Sequence, residues 1–107
     1  MAERAAEQSI LPLAAERGVA VIANRPLAAG HALGPLLGRP VPEWASEIGC
    51  TTWSQLLLKF VVSHPSITCA IPATSKPDHL LDNIRAAFGP MPDAALRERI
   101  ARAATGR

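Results

Sequence analysis

Ile71-Pro72-Ala73-Thr74-Ser75-Lys76-Pro77-Asp78-His79-Leu80-Leu81-Asp82-Asn83 is the stretch on which the reading of this 107-residue chain turns. Ile67-Thr68-Cys69-Ala70-Ile71 is a short apolar run with β-branched side chains, stopped by Pro72, so a buried strand is expected there. Pro77 stands where a helix opens, because its missing N–H is no loss in a first turn. Leu80, Leu81 and Ile84 recur at helical spacing and are expected to face inward, with the helix ending near Phe88-Gly89-Pro90. Between strand and helix lies a turn with two hydroxyls and a lysine: Thr74, Ser75 and Lys76. The free amides and positive dipole end of a helix N-terminus favour an anion at such a place. The plainer reading is a capped helix with a solvated lysine, Asp82 and Asn83 forming its polar face.

Upstream, Thr52-Trp53-Ser54-Gln55 has the form of a capping box and opens a helix carrying Leu56, Leu57, Phe60 and Val61, which ends before His64-Pro65. Pro42 to Ile48 predicts a short helix with Trp44 and Ile48 on one face, stopped by Gly49. Ala28 to Pro42 is rich in Gly, Pro and Ala without a defensible period, and reads as a long loop of the kind that is often functional. Val19-Ala20-Val21-Ile22-Ala23 suits a strand buried on both faces, and Asn24-Arg25-Pro26-Leu27 ends it with turn chemistry. Before it, a helix is expected from about Ser9 to Arg17. Ser9 is its cap, Pro12 lies in the first turn, Ile10, Leu13 and Ala14 form the apolar stripe, and Gly18 is the stop. Residues 2–8 read equally as an extension of that helix or as a lead-in loop. Downstream, Asp93 opens a last helix with Leu96, Ile100 and Ala103 at helical spacing.

The alternation of strands and helices implies parallel strands joined by right-handed crossovers. Two such strands leave bare edges, and a closed barrel of these units needs ~250 residues. The chain therefore reads as a piece of something larger, loosely packed or aggregating by itself.

Composition narrows the classes. Apolar residues make up 49% of the chain but 20 of them are alanine; Leu, Ile, Val and Phe number 26, which lies above the disordered range. Eleven basic residues against nine acidic ones leave +2, short of the footprint of a dedicated nucleic-acid binder. No apolar run is long enough for a membrane-spanning helix, and Met1-Ala2-Glu3-Arg4 lacks the apolar stretch of a secretory signal. Cys50 and Cys69 fit no metal-ligand spacing and are expected as ordinary buried or half-buried thiols; no metal site is expected, and a reducing, cytoplasmic location follows. Glu43 and Glu47 read as a solvated face, Arg97, Arg99 and Arg102 as a basic surface, His64 as a cap or turn residue, His31 as solvated, and Trp44 and Trp53 as packing anchors. Tyrosine is absent from the sequence.

The segment from Ile71 to Asn83 resembles the link between strand eight and helix eight of the aldo/keto reductase superfamily. Leu11 to Gly30 is similar to that family's helix six, strand seven and following loop, and Gln55 to Pro65 to its helix before strand eight. The three segments stand in family order and at family spacing, and cover nearly the whole chain. The resemblance implies an α/β fold, a partial (β/α)8 TIM barrel. Residues 1–107 would be its C-terminal segment, with two parallel strands and about four to five helices. It further implies NADP(H) as cofactor, with NAD(H) as the alternative, lying over the C-terminal ends of the last strands, where barrel active sites lie. Matched by position, Thr74 would donate to the adenosine 2′-phosphate, with Ser75 and Lys76 in the same turn. His79 stands where many members have an arginine, and Asp82 and Asn83 match the acid–amide pair that contacts adenine. Arg25, Pro26 and Leu27 match the loop along the pyrophosphate, and Asn24 the residue beside the nicotinamide.

Three departures shape what the resemblance implies. Ala73 stands where many members place a phosphate-binding lysine, and Lys76 is the substitute at hand, since an ammonium on a long stem needs only approximate placement. Asn24 replaces a tyrosine that stacks on the nicotinamide. The family's proton donor is a tyrosine assisted by lysine, aspartate and histidine from earlier strands, and a general acid needs such neighbours to tune its pKa. With no tyrosine in the chain, no catalytic residue is assigned. The implied function is the cofactor-binding C-terminal part of an NAD(P)H-dependent aldo/keto reductase, which reduces a carbonyl to an alcohol by hydride transfer. The chain alone is expected to be inactive, the carbonyl substrate being met only by the full-length barrel. The rival reading is a non-catalytic α/β binding or assembly module from a truncated reading frame, self-associating through exposed strand edges. Neither nucleic acid nor membrane is expected as a partner.

Overall fold

Two short strands, β1 (Ile22–Asn24) and β2 (Cys69–Ile71), pair in parallel in a computed structural model that describes residues 4–106. Ile22 stands opposite Cys69, Ala23 opposite Ala70 and Asn24 opposite Ile71. Thr68 ties the start of the ladder: its N–H donates to the Val21 carbonyl (2.8 Å), and its Oγ1 accepts from the Val21 N–H (2.9 Å). Both strands are shorter than predicted, and the burial expected on both faces is not found. Val19 and Ile22 are 59% and 60% exposed, and the Cys69 thiol is exposed rather than half-buried. The sheet has two strands among the described residues. Each therefore keeps a bare edge, and a ladder without a second neighbour ends early.

Two helices, α1 (Ala5–Gln8) and α2 (Ile10–Arg17), lead into β1. The expected Ser9 cap does not form; Ser9 Oγ donates back to the Ala5 carbonyl (3.3 Å), and the chain breaks between the two helices there. Residues 2 and 3 of that lead-in lie outside the described residues. The apolar stripe is also rotated from the one predicted: Leu11 and Ala14 are buried, while Ile10 and Leu13 face out. Gly18 ends α2 as expected, at φ 63°, with the Gly18 and Val19 N–H groups returning to the Ala15 and Ala14 carbonyls.

The region read as a loop holds two single-turn 3₁₀ helices, Ala28–Gly30 and Gly34–Leu36, and it delivers Leu36 into the core. A third, Glu43–Ile48, stands in place of the short helix, burying Ala45 and Ile48 and leaving Trp44 half-buried. The centre of the molecule is α3 (Trp53–Val62), in which all residues from Trp53 to Phe60 except Ser54 are buried. Thr52 caps it by accepting from the Gln55 N–H (3.2 Å), while Gln55 Oε1 accepts from the Thr51 N–H (2.8 Å), a capping box displaced by one residue. Val61, expected inward, is half-buried.

The chain closes with α4 (Pro77–Arg85) and α5 (Ala94–Thr105). Asp93 caps α5, accepting from the Leu96 N–H (2.8 Å), and Ile100 and Ala101 complete a core made with α3 and the 36–50 segment. That core lies away from the sheet. Leu80, Leu81 and Ile84 of α4, predicted to face inward, are 49%, 60% and 47% exposed, because α4 meets the protein through Asp82, Asn83 and Ala86 instead. Arg97, expected on the surface, is buried. It donates to the Phe60 carbonyl, to Ser63 Oγ (3.1 Å) and to Glu7 (3.1 Å), with its guanidinium over the Phe60 ring. Among the described residues no helix is long and apolar enough to cross a membrane.

Candidate functional site

Parallel strands point their carboxyl ends the same way, and the loops leaving those ends meet. Asn24 closes β1 and Ile71 closes β2 as paired residues, so the loops after them start side by side. A helix that joins parallel strands runs back against them, which brings the N-terminus of α3 to this same end. The following helix, α4, begins there as well. These four segments border an open cavity of about 590 Å³.

Its lining takes in Asn24, Arg25, Pro26 and Leu27 from the first loop, Thr74 from the second, and His79, Asp82 and Asn83 from α4. All eight are residues singled out in the sequence. The other two, Ser75 and Lys76, are exposed and stand outside the lining. Thr74 Oγ1 accepts from the Lys76 N–H (3.2 Å), a hydroxyl turn that leaves Lys76 at the N-cap of α4 without a side-chain cap of its own.

Thr52 and Ser54, from the start of α3, also line the cavity, and sequence reasoning passed them over as site residues. The signal was present: the capping residue of a crossover helix belongs at the carboxyl end of the strands it connects. The first loop is wound tightly, with Arg25, Ala28 and Ala29 all left-handed at φ 50°, 50° and 54°. Each such non-glycine residue costs roughly 1–2 kcal/mol. Hydrogen bonds from the Ala28 N–H to the Arg25 carbonyl (2.7 Å) and from the Gly30 N–H to the Leu27 carbonyl (2.9 Å) hold the turns closed. Strain of this kind gathers at sites where a loop must keep an unusual shape.

Arg25 is the permanent cation of the lining and Asp82 its carboxylate. Asp82 is engaged on both oxygens: Thr52 Oγ1 donates to Oδ2 (2.8 Å) and Gln55 Nε2 to Oδ1 (2.7 Å). Of the remaining polar groups Arg25 is a donor only, and Asn24, Thr74, His79, Asn83 and Ser54 can each donate as well as accept, which suits an anionic ligand with a polar ring system. The volume falls within the ~300–1,000 Å³ of small-molecule sites. A second cavity, about 410 Å³ between α3, β2 and α4, is mostly apolar and has no charged side chain in its lining, its hydroxyl, thiol and amide being those of Thr68, Cys69 and Asn83. His64, read as a turn residue, accepts from the Ser66 N–H at Nδ1 (3.1 Å) and belongs to neither lining. No group of three or more His, Cys, Asp or Glu side chains gathers as a metal-ligand set among the described residues.

Compared with known proteins, residues 1–99 match the model of the aldo/keto reductase family. No curated protein and no solved structure matches the chain.

Proposed function

Because this chain belongs to the aldo/keto reductase family, whose members are oxidoreductases generally using nicotinamide cofactors, we propose that it supplies the dinucleotide-binding end of an NADP(H)-dependent carbonyl reductase. It corresponds to the C-terminal segment of a (β/α)8 barrel. The cofactor, when bound, brings the hydride that turns a carbonyl into an alcohol. One observation carries this reading: Asn24 to Leu27 and Thr74 to Asn83, far apart in sequence, contribute to the lining of a single cavity at the carboxyl ends of the strands.

In this reading Arg25 and Thr74 face the phosphates, and Lys76 adds charge from outside the wall. Asn83 and His79 serve the adenosine end, and Asn24 lies toward the nicotinamide. Ser75 supplies a hydroxyl beside Thr74. With no tyrosine in the sequence, the chain brings no phenolic proton donor and is expected not to reduce a carbonyl alone. A cytoplasmic location, where reduced nicotinamide and free thiols coexist, belongs to the same reading.

Titration of the purified chain with NADPH, followed by nicotinamide fluorescence, is expected to saturate. Arg25→Ala and Thr74→Val are each expected to weaken binding on the order of ten-fold or more, since a hydrogen bond to a charged group is worth ~1.5–3 kcal/mol. Because Ala73 leaves the 2′-phosphate to Thr74 and Lys76, the ratio of NADPH to NADH affinity reports whether these two suffice. A flat response to both nucleotides would overturn the reading.

The exposed stripe of Leu80, Leu81, Ile84 and Phe88 favours a second reading. In it the chain is a non-catalytic assembly module that covers this face and its bare strand edges with another copy. An oligomer that ignores the cofactor would replace the first reading with the second.

A further inference from the structure

We propose, resting on the dinucleotide reading of the cavity, that Gln55 is a positioning residue, which acts from behind the cavity wall to aim the Asp82 carboxylate at the ligand. Gln55 is 1% exposed and is not part of the lining, whereas Asp82 is half-buried and lines the cavity. The Gln55 amide has one orientation that satisfies its neighbours. Its Oε1 accepts from the Thr51 N–H (2.8 Å) and from Thr51 Oγ1 (3.3 Å), which leaves Nε2 to donate to Asp82 Oδ1 (2.7 Å). Turning the amide over would set two donors against each other at the Thr51 N–H and two acceptors at Asp82. Thr52 Oγ1 accepts from the Gln55 N–H (3.2 Å) and donates to the other carboxylate oxygen, Oδ2 (2.8 Å). Each oxygen of Asp82 thus accepts one bond from the start of α3. An ionised carboxylate has about four acceptor sites, so its remaining lone pairs are free for the cavity.

A carboxylate accepts and does not donate, so the ligand group it meets must be a donor. At the adenosine end of a dinucleotide the donor on the base is the 6-amino group of adenine. Hypoxanthine carries a carbonyl oxygen there, which would face the carboxylate as a second acceptor. The choice between the two bases is only as sharp as the placement of the carboxylate. Apolar packing does little to secure it, since Ala86 is buried against the protein but Leu80, Leu81 and Ile84 of α4 are exposed. An aspartate left to itself also spreads over several rotamers, and ordering them on binding costs affinity. Gln55, anchored in the buried part of α3, removes that freedom before the ligand arrives.

NADPH and its 6-oxo analogue, reduced nicotinamide hypoxanthine dinucleotide phosphate, are titrated against the full chain well below each variant's melting temperature. The ratio of the two dissociation constants is the first readout, because partial unfolding weakens both nucleotides alike and cancels. The wild type is expected to prefer NADPH on the order of ten-fold, and Gln55→Met, similar in size but without a donor, to keep a preference of about three-fold or less. Gln55→Leu is read in the same way should Gln55→Met not fold. The second readout is NADPH affinity in an Asp82→Ala background. There Gln55→Met is expected to change affinity by less than about three-fold, since a residue that acts through the carboxylate has nothing left to aim. An equal loss in both backgrounds would make Gln55 a merely structural residue. A wild type that binds both nucleotides equally, or a preference that survives in Gln55→Met and Gln55→Leu, would show that Gln55 does not aim the carboxylate at the base. Each of these results overturns the proposal while the dinucleotide reading stands. A wild type that binds neither nucleotide overturns that reading, and the role of Gln55 falls with it.

Discussion

Lys59 is fully buried inside α3 and gives its ammonium protons to the carbonyls of Ile48 (2.5 Å), Phe88 (2.5 Å) and Pro90 (3.2 Å). It joins the end of the Glu43–Ile48 turn to the link between α4 and α5. A Cβ at Gly89 would make only ordinary contacts, 3.5 Å from the Ile48 oxygen and 3.6 Å from Nζ, and it is the left-handed φ of 78° that favours glycine there. Lys59→Met keeps an unbranched side chain but leaves three inward carbonyls without their donor. Urea denaturation is expected to show a loss of about 3 kcal/mol, the upper range for hydrogen bonds from a charged group. Acid acts at two other side chains. Burial raises the Glu7 carboxyl, but the hydrogen bond from Arg4 and the charges of Arg4 and Arg97 outweigh it and hold the pKa below its ordinary value. Burial, with the Arg97 charge behind it, lowers His64. Folded Glu7 binds fewer protons than unfolded Glu7. Its contribution is therefore whole above the unfolded carboxylate pKa of ~4.3 and is lost as pH falls through the folded value. His64 adds an earlier step of the same sign, beginning as pH drops through its unfolded ~6.5. In urea midpoints followed downward from neutral pH, Glu7→Gln is expected to flatten the lower step while the upper one persists.

Apart from the start of α2, where the expected Ser9 cap does not form, the helix ends were legible because each is settled by chemistry within a few residues. Gly18 and Gly49 adopt the left-handed φ of 63° and 71° that stops a helix. Pro77 opens α4, and Asp93 and Thr52 cap the helices that follow them. Asp93→Ala is expected to cost about 1 kcal/mol, the usual loss for a cap of this type, read as a lower melting temperature. Which side of a helix turns inward was less legible. Ile10, Leu11, Leu13, Ala14 and Ala15 surround α2 with apolar groups, so periodicity cannot choose between the Leu11 and Ile10 sides. The strands were read in the right places and in the right orientation, but two or three residues too long at their starts. A strand's length is set by its partners, and Val21 meets Thr68 partly through a side chain instead of a continuing ladder.

Across the molecule, the core gathers between α3, α5 and the 36–50 segment, and the sheet stays outside it. The exposed Leu81 (60%) and Phe88 (66%), with Leu80 and Ile84, make an apolar face that water covers poorly. Sedimentation over a range of concentrations is expected to show self-association, and Leu81→Lys with Phe88→Lys to shift it toward the monomer; a monomer at all concentrations would contradict this. The sequence by itself determined the parallel pair of strands and most helix termini, because turn and cap propensities act locally, whereas eight of the cavity's lining residues were matched by position through the family resemblance. Tertiary structure alone decided that Lys59 and Arg97 are interior, that Asp82 turns toward Gln55, and that the α4 stripe lies bare. Burial and hydrogen-bond partners depend on segments tens of residues away, whose approach no short-range pattern encodes.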